Sequence, residues 1–266
     1  MKYSVFLSHL LAAAEQEKRT LESVLLEMQQ LGFEAVEAHL QDMQREEVRK
    51  AVVGTGMKVS GIYDFLDFAH QPCGNQADEL LRMALEVGAG CIMPLPGRVA
   101  PGEDRLQMRE RMAEGMSQVC YQAAQQGTLV VLEDFGAAGA PYSLIEEVEW
   151  FLQQVPELGF ALDTGNFIYH GQDVMQAYDR LGSRIRHVHL KDHALSPKYG
   201  EWQSTTPDGQ EFFSAPIGYG YMPTRELVSR LREDRYSGYM AVEQFGLRET
   251  LKGLRMAADW VKAQSV

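Results

Sequence analysis

The sequence predicts a single-domain (β/α)8 barrel, the TIM barrel fold, and three observations lead to it. Short β-rich segments alternate with helical patterns along all 266 residues. Eight strand–helix units fill almost the whole length, and a barrel of this type typically takes about 250 residues. No Pro- or Ser-rich linker and no shift in composition divides the chain. We therefore expect one domain over residues 1–266.

The predicted strands are short runs of apolar, β-branched and aromatic residues. In chain order they cover about residues 3–8, 34–39, 57–63, 90–94, 128–133, 158–163, 185–190 and 238–243. The alternative fold is a doubly wound open sheet. No GxGxxG or P-loop pattern follows the first strand, so the barrel is favoured.

The helices between these strands are predicted from apolar residues at helical spacing. Clear examples are Leu21, Val24, Leu25, Met28 and Leu31, and, near the end, Leu251, Leu254, Ala258 and Val261. Ser143 with Glu146 matches a capping box at one helix start, and Pro223 suits the first turn of another.

One stretch interrupts the alternation. Residues 192–222 separate the seventh strand from its helix and contain several Pro and Gly residues. Asp208-Gly209 predicts a hairpin tip, and nearby aromatic residues such as Trp202 and Phe212 argue against disorder. We interpret this insertion as a lid over the active face. A contact surface in a homo-oligomer is the competing interpretation.

Composition and charge restrict the class of protein. The formal net charge is −12, which opposes a nucleic-acid partner, and no apolar run approaches the roughly 20 residues of a membrane helix. The N-terminal apolar stretch is too short for a secretory signal. Cys73, Cys91 and Cys120 form no CxxC pair. We expect a cytoplasmic enzyme that acts on a small molecule, without a nucleic-acid or membrane partner.

Four predicted strands end in a residue type that binds metal ions: Glu133, Asp163, His189 and Glu243. The carboxyl ends of the strands form the active face of this fold. Residues two apart on a strand share a face, so each of the four points into the barrel together with the residue two positions before it. Three carboxylates and one imidazole suit Mn²⁺, Mg²⁺, Co²⁺ or Zn²⁺.

Segments around these residues resemble the sugar phosphate isomerase/epimerase superfamily of xylose-isomerase-like barrels. They include EAVEAH on the second strand, HVHLKD on the seventh and GYMAVE on the eighth, and the resemblance covers nearly the whole chain. Members include ketose 3-epimerases, hydroxypyruvate isomerases, inosose dehydratases and apurinic endonucleases. The resemblance implies that Glu133, Asp163, His189 and Glu243 bind one divalent metal ion, with Mn²⁺ as first choice. It also implies that Glu133 and Glu243 act as acid and base on the substrate.

Further residues are candidates for binding substrate. Glu37 and His39 share a face at the end of the second strand, and Lys191 has the parity to reach the pocket. Asn166 stands where relatives often carry His, and we include it. His9 is a weaker candidate of the same kind. His187 is expected to be a hydrogen-bonded interior residue.

Two glutamates beside a metal-bound hydroxy-ketone can move a proton next to the carbonyl through a metal-stabilised enediolate. The sequence therefore predicts a sugar or polyol isomerase or epimerase. A dehydratase of the inosose or dehydroshikimate type is the alternative, partly because of Asn166 and the HLKD segment. An apurinic endonuclease is remote, since the negative charge would repel phosphates. A non-enzymatic sugar-binding protein would not need two glutamates beside the metal.

Overall fold

The computed structural model describes residues 1–137 and 139–264, in which eight strands close into a barrel and three others form a small separate sheet. They are β1 (Lys2–Phe6), β2 (Ala35–His39), β3 (Lys58–Phe65), β4 (Cys91–Leu95), β5 (Leu129–Glu133), β6 (Gly159–Asp163), β7 (Ile185–Leu190), β8 (Asp192–Ala194), β9 (Trp202–Thr205), β10 (Glu211–Ala215) and β11 (Tyr239–Val242). The barrel order is β1-β11-β7-β6-β5-β4-β3-β2, and the paired strands in it are parallel. The (β/α)8 prediction is confirmed, and the open sheet is excluded.

The helices alternate with the barrel strands, and β1 and β2 are each followed by two of them. They are α1 (Leu7–Gln16), α2 (Leu21–Gln30), α3 (Leu40–Gln44), α4 (Glu46–Gly54), α5 (Asp78–Val87), α6 (Arg105–Ala124), α7 (Ile145–Gln154), α8 (Val174–Leu181), α9 (Thr224–Glu233) and α10 (Thr250–Gln264). None of the helices in the described residues combines the length and apolar character needed to cross a membrane.

The side chains of the barrel strands separate into two apolar clusters, as their period of two predicts. One cluster fills the barrel and includes Phe6, Ala161 and Ala241. The other lies between barrel and helices and includes Leu162 and Val242. The three cysteines are buried and free, in agreement with the sequence. The predicted parity of the ligand-bearing strands therefore holds.

The start of α7 corrects one sequence prediction. The predicted capping box paired Ser143 with Glu146, but α7 begins at Ile145 and the pairing is shifted by one residue. The Glu147 carboxylate accepts from the backbone N–H of Ser143 at 3.1 Å, while Glu146 accepts from the side chain of Gln172 at 3.0 Å. The capping interaction itself is of the predicted kind, because a glutamate carboxylate accepts from backbone N–H groups at the helix start.

The insertion at residues 192–222 is an ordered antiparallel sheet rather than a plain loop. Strands β8, β10 and β9 pair in that order, and Gly209 takes a φ of 90° between β9 and β10. The predicted hairpin at Asp208-Gly209 is confirmed. The strand β8 was not predicted, since it is only three residues long.

Asp192 fastens the returning end of the insertion. Its carboxylate accepts from the backbone N–H groups of Gly218 at 2.9 Å, Gly220 at 3.0 Å and Met222 at 3.0 Å. A Cβ at Gly220 would lie 2.2 Å from Asp192 Oδ1, so only glycine permits this approach. The insertion is therefore held to the barrel beside β7 at both of its ends.

The first strand is shorter than predicted, and this moves His9 from a strand end into a helix. β1 ends at Phe6, and His9 lies in α1 with 4% of its surface exposed. Its Nε2 accepts from the backbone N–H of Gln244 at 2.9 Å. His9 is thus a buried acceptor that joins α1 to the segment after β11, not a side chain at the rim.

We expect His9 to make the fold sensitive to acid. Burial lowers its pKa from 6.5 to about 4, so the unfolded chain binds more protons between these pH values. The stability that depends on neutral His9 is complete above pH 6.5 and is lost as the pH falls toward 4. The loss should reach about 3 kcal/mol.

Urea unfolding of the wild type and of His9→Gln measures this loss. Glutamine keeps an acceptor for the Gln244 N–H but does not titrate. The stability advantage of the wild type over His9→Gln should shrink by that amount between pH 7.5 and pH 4. An advantage that is independent of pH would show that His9 does not titrate as described.

Candidate metal centre

The four predicted ligands lie together at the carboxyl ends of neighbouring barrel strands. Glu133 and Asp163 are the last residues of β5 and β6, His189 is the penultimate residue of β7, and Glu243 directly follows β11. Asp163 and Ala241 both pair with His189 in the strand register. All four residues are buried, with exposed fractions of 6% or less.

The donor atoms converge on His189 Nδ1. This nitrogen lies 2.8 Å from Glu133 Oε1, 3.2 Å from Glu243 Oε2 and 4.0 Å from Asp163 Oδ2. One ligand atom from each of the four residues lies within 4.8 Å of the others. Asp163 Oδ2 and Glu243 Oε2 are buried oxygens that accept no hydrogen bond of good geometry, although cationic groups lie near them. A set of three oxygens and one nitrogen fits a divalent cation.

The crowding of charge shifts the pKa values of these groups. Burial raises the pKa of Asp163 to about 7; Glu243 and Glu133 also raise it, while Lys191 opposes them. Burial also acts against ionised Glu243, but Lys191 and His189 outweigh it and lower the pKa of Glu243. For His189, burial is outweighed by the charges of Glu37 and Glu133, so its pKa is raised. A bound cation would replace the imidazole proton as the counter-charge of these carboxylates.

Lys191 brings a cation to the outer side of this cluster. Its Nζ lies 2.9 Å from Asp163 Oδ2 and 2.6 Å from Glu243 Oε1. Its backbone is pinned by Thr164, whose Oγ1 accepts from Lys191 N at 2.8 Å. Burial alone would lower the pKa of Lys191, but Asp163 and Glu243 raise it well above its ordinary value. The ammonium therefore stays charged beside the predicted ligands.

Asn166 is held by Lys191 and by Asp134, and the sequence analysis did not single out Asp134. Its amide donates to the backbone oxygen of Asp134 at 2.6 Å, and its Oδ1 accepts from Lys191 Nζ at 2.9 Å. Asp134 Oδ1 in turn accepts from the backbone N–H of Asp163 at 2.8 Å. Strand parity turns Asp134 away from the barrel interior, so no sequence signal marked it. Asn166 and Lys191 both border the four predicted ligands, and their contact with substrate stays a prediction.

Glu37 and His39 occupy different depths, although the sequence placed both at the rim. Glu37 is 1% exposed, and both its oxygens are engaged by His187 and His189 below the ligand cluster. His39 lies at the rim, where its Nδ1 accepts from the backbone N–H of Gln41 at 3.1 Å. His187 is hydrogen-bonded inside the barrel, as predicted. Contact of Glu37 with substrate hydroxyls stays a prediction, and its position below His189 does not favour it.

The insertion adjoins the loops that follow two of the predicted ligands, Asp163 and Glu243. His193 Nε2 donates to the backbone oxygen of Gly165 at 3.0 Å, just after Asp163. On the other side, Ser214 Oγ donates to the backbone oxygen of Phe245 at 2.5 Å, just after Glu243. The inserted sheet therefore bridges the loops after β6 and β11, directly above β7.

Comparisons with known proteins agree with this architecture. A family model described as xylose isomerase-like TIM barrel matches residues 25–264. The solved structure of the probable 3-DHS dehydratase involved in petrobactin synthesis from Bacillus anthracis superposes with a TM-score of 0.76. Its sequence identity is 17%, over 98% of this chain and 99% of that chain. At this identity the likeness shows the fold.

Two curated relatives match parts of the chain. An inosose dehydratase of Mesomycoplasma hyopneumoniae (strain 7448) is 34% identical over 85 residues, which is 31% of this chain and 28% of that protein. A fructoselysine 3-epimerase of Escherichia coli O157:H7 is 29% identical over 140 residues, 50% of this chain and 44% of that protein. The chain thus spans less than half the length of these relatives. Because the family model covers the barrel from α2 to the end of α10, the chain belongs to the xylose isomerase-like TIM barrel family.

Proposed function

We propose that this protein is a divalent-metal-dependent isomerase or epimerase of a sugar or polyol, with Glu133 and Glu243 as its acid–base pair. The observation that carries the proposal is the ligand cluster: three carboxylates and one imidazole, all buried, with ligand atoms within 4.8 Å of one another. Buried carboxylates in such number are costly unless a cation neutralises them. Lys191 supplies only part of that charge.

Glu133, Asp163, His189 and Glu243 would hold the metal ion. We propose Mn²⁺, with Mg²⁺, Co²⁺ and Zn²⁺ as alternatives, because the cluster is rich in oxygen and lacks thiolates. A metal ion held there would supply Lewis acidity to a carbonyl and a neighbouring hydroxyl, which would lower the cost of removing the proton on the carbon that bears this hydroxyl.

The protein's own residues then move the proton. Glu243 is kept ionised by Lys191 and His189, which suits it to accept a proton from carbon. Glu133 returns a proton, to the opposite face in epimerisation or to the adjacent carbon in isomerisation. Asp163 and His189 mainly hold the metal. We further propose that Lys191 and Asn166, on the outer side, bind substrate oxygens.

A dehydratase of the inosose or dehydroshikimate type is the second candidate. The observation that favours it is the partly buried ammonium of Lys191, which lies within 3 Å of both Asp163 and Glu243. An ammonium in this position can donate a proton to a departing hydroxyl group. The two curated relatives include one dehydratase and one epimerase, so their names favour neither reaction.

Metal analysis followed by a substrate screen tests this proposal. About one divalent ion per chain is expected, since one ligand cluster is proposed. NMR in D₂O of ketoses, inososes and hydroxypyruvate with the Mn²⁺-treated protein, quenched and freed of metal before measurement, then identifies the reaction. Deuterium next to the carbonyl in an isomerised product supports the first candidate, and loss of water supports the second. Absence of bound metal would overturn both.

We also propose that the inserted sheet acts as a lid. Replacing residues 203–212 by Asn-Gly joins Trp202 to its partner Phe213 through a two-residue turn. We expect turnover to fall about 10- to 100-fold, because the cover that excludes water and orients the substrate is shortened. Metal affinity should not change, since no proposed ligand lies in the replaced segment.

A matched variant and a second measurement separate the lid from an oligomer contact. Replacing only residues 206–210 by Asn-Gly keeps both hairpin strands, because Thr205 pairs with Glu211. This variant should retain most of its activity. Sedimentation of both variants reports their assembly. Unchanged kinetics together with an altered mass would make residues 192–222 an interface and remove the lid proposal.

A further inference from the structure

We propose that Glu37 is a positioning residue for the metal ligand His189: its carboxylate holds the imidazole by Nε2, so that Nδ1 faces the other three ligands. This inference rests on the proposed metal site. It assigns to Glu37 a role below the metal rather than in contact with substrate. The group that transmits the effect is His189.

The two nitrogens of His189 have separate partners. Nε2 lies 3.0 Å from Glu37 Oε1, and Nδ1 lies 2.8 Å from Glu133 Oε1. A carboxylate can only accept, so the contact with Glu37 requires a proton on Nε2. When His189 binds a cation, the lone pair must then come from Nδ1, which already points into the ligand cluster. Glu37 thereby selects which nitrogen binds the metal.

Glu37 is itself fixed from the other side. Its Oε2 accepts from His187 Nε2 at 2.6 Å, so both oxygens are used in a chain from His187 through Glu37 to His189. Gly61 makes room for it, since a Cβ at that position would lie 3.0 Å from Cys91 Sγ and 3.6 Å from the Glu37 carboxyl group. The carboxylate therefore has little freedom to rotate away from His189.

Packing contacts and the hydrogen bond to Glu37 restrict the His189 ring in different ways. Phe6 meets it edge-on, with centroids 5.1 Å apart, and His187 does so at 5.3 Å. These contacts restrict the plane of the ring, but they do not distinguish a ring from its flipped form, in which the two nitrogens exchange sides with carbon atoms. The hydrogen bond to Glu37 does distinguish them. Losing a partner of this kind typically costs about 10- to 100-fold in metal affinity.

The test compares Glu37→Gln with Glu37→Leu. Glutamine can accept from His189 Nε2 with its Oε1 and donate to His187, whereas leucine fills a similar volume without hydrogen bonds. Calorimetric titration with Mn²⁺ should give a leucine variant that binds about 10- to 100-fold more weakly than the wild type. The glutamine variant should lose less than about tenfold. Thermal unfolding without metal checks that both variants are folded.

Two results would overturn the inference. Wild-type affinity in the leucine variant would show that His189 needs no such partner. Equal losses in both variants would assign the effect to the charge of Glu37 and not to the orientation of the ring.

A second readout does not require metal. In ¹⁵N-histidine-labelled, metal-free protein, the proton on His189 Nε2 should give a slowly exchanging, hydrogen-bonded signal in the wild type and in Glu37→Gln. The signal should be lost in Glu37→Leu. If the wild type gave the signal but bound no Mn²⁺, the proposed function would fail while the hydrogen bond held. Absence of the signal in the folded wild type would refute the positioning role itself.

Discussion

Glu133→Gln and Glu243→Gln are each expected to abolish measurable turnover while the barrel stays folded. A glutamine is nearly the same size as a glutamate and keeps an oxygen that can bind a metal, but it cannot exchange a proton. Acid–base catalysis by one positioned side chain contributes about 10²- to 10⁴-fold, so each single change should cost at least that much. Steady-state rates on the substrate identified by the NMR screen measure this loss.

Glu147→Gln is the matched control for these two variants. Glu147 is also a buried glutamate, but it caps α7 and lies outside the ligand cluster. Its replacement should lower thermal stability and leave turnover nearly intact. If Glu133→Gln or Glu243→Gln turned over at close to the wild-type rate, that glutamate would have no role as acid or base.

His189→Ala should show the second large effect, the loss of metal affinity together with activity. This change removes the nitrogen on which the three carboxylates converge, at 2.8 Å from Glu133 and 3.2 Å from Glu243. Removing a ligand itself should cost more than the roughly 10- to 100-fold that is lost when a ligand's partner is removed. Titration with Mn²⁺ measures the affinity directly.

His70→Ala serves as the comparison for His189→Ala. His70 is an exposed histidine that pairs with Asp67 and Glu103 and does not belong to the ligand cluster. Its removal should leave metal binding unchanged. Wild-type metal occupancy in His189→Ala would contradict the ligand assignment, whatever the activity of the variant.

The sequence predicted the fold and the four residues that the structure brings together at the barrel mouth, because both depend on strand periodicity. Because side chains alternate along a strand, Glu133, Asp163 and His189 point into the barrel together with the residues two positions before them. The closed barrel then brings neighbouring strand ends together. The same alternation predicted that Lys191, two residues after His189, points toward the pocket.

Strand periodicity does not predict how deep a side chain lies in the barrel or at which residue a strand ends. The alternation of side chains predicts that Glu37 points into the barrel, but it does not predict how deep the residue lies. Its depth depends on the stagger of the strands and on the space left by Gly61. His9 was misplaced because β1 gives way to α1 without any turn residue between Phe6 and Leu7. β8 is too short to show a period, and its pairing with β10 arises only in the folded chain.

The four proposed ligands all lie from the midpoint of the sequence onward, and this affects how the protein could change its substrate during evolution. All four come from residue 133 onward, whereas the opposite side of the barrel mouth is built from earlier side chains such as His39 and the half-exposed Phe65. Recombination near the midpoint of the gene would therefore exchange the side of the mouth opposite the proposed metal ligands and leave those ligands unchanged. Glu37 belongs to the first half but forms a hydrogen bond with His189. A chimera should retain it.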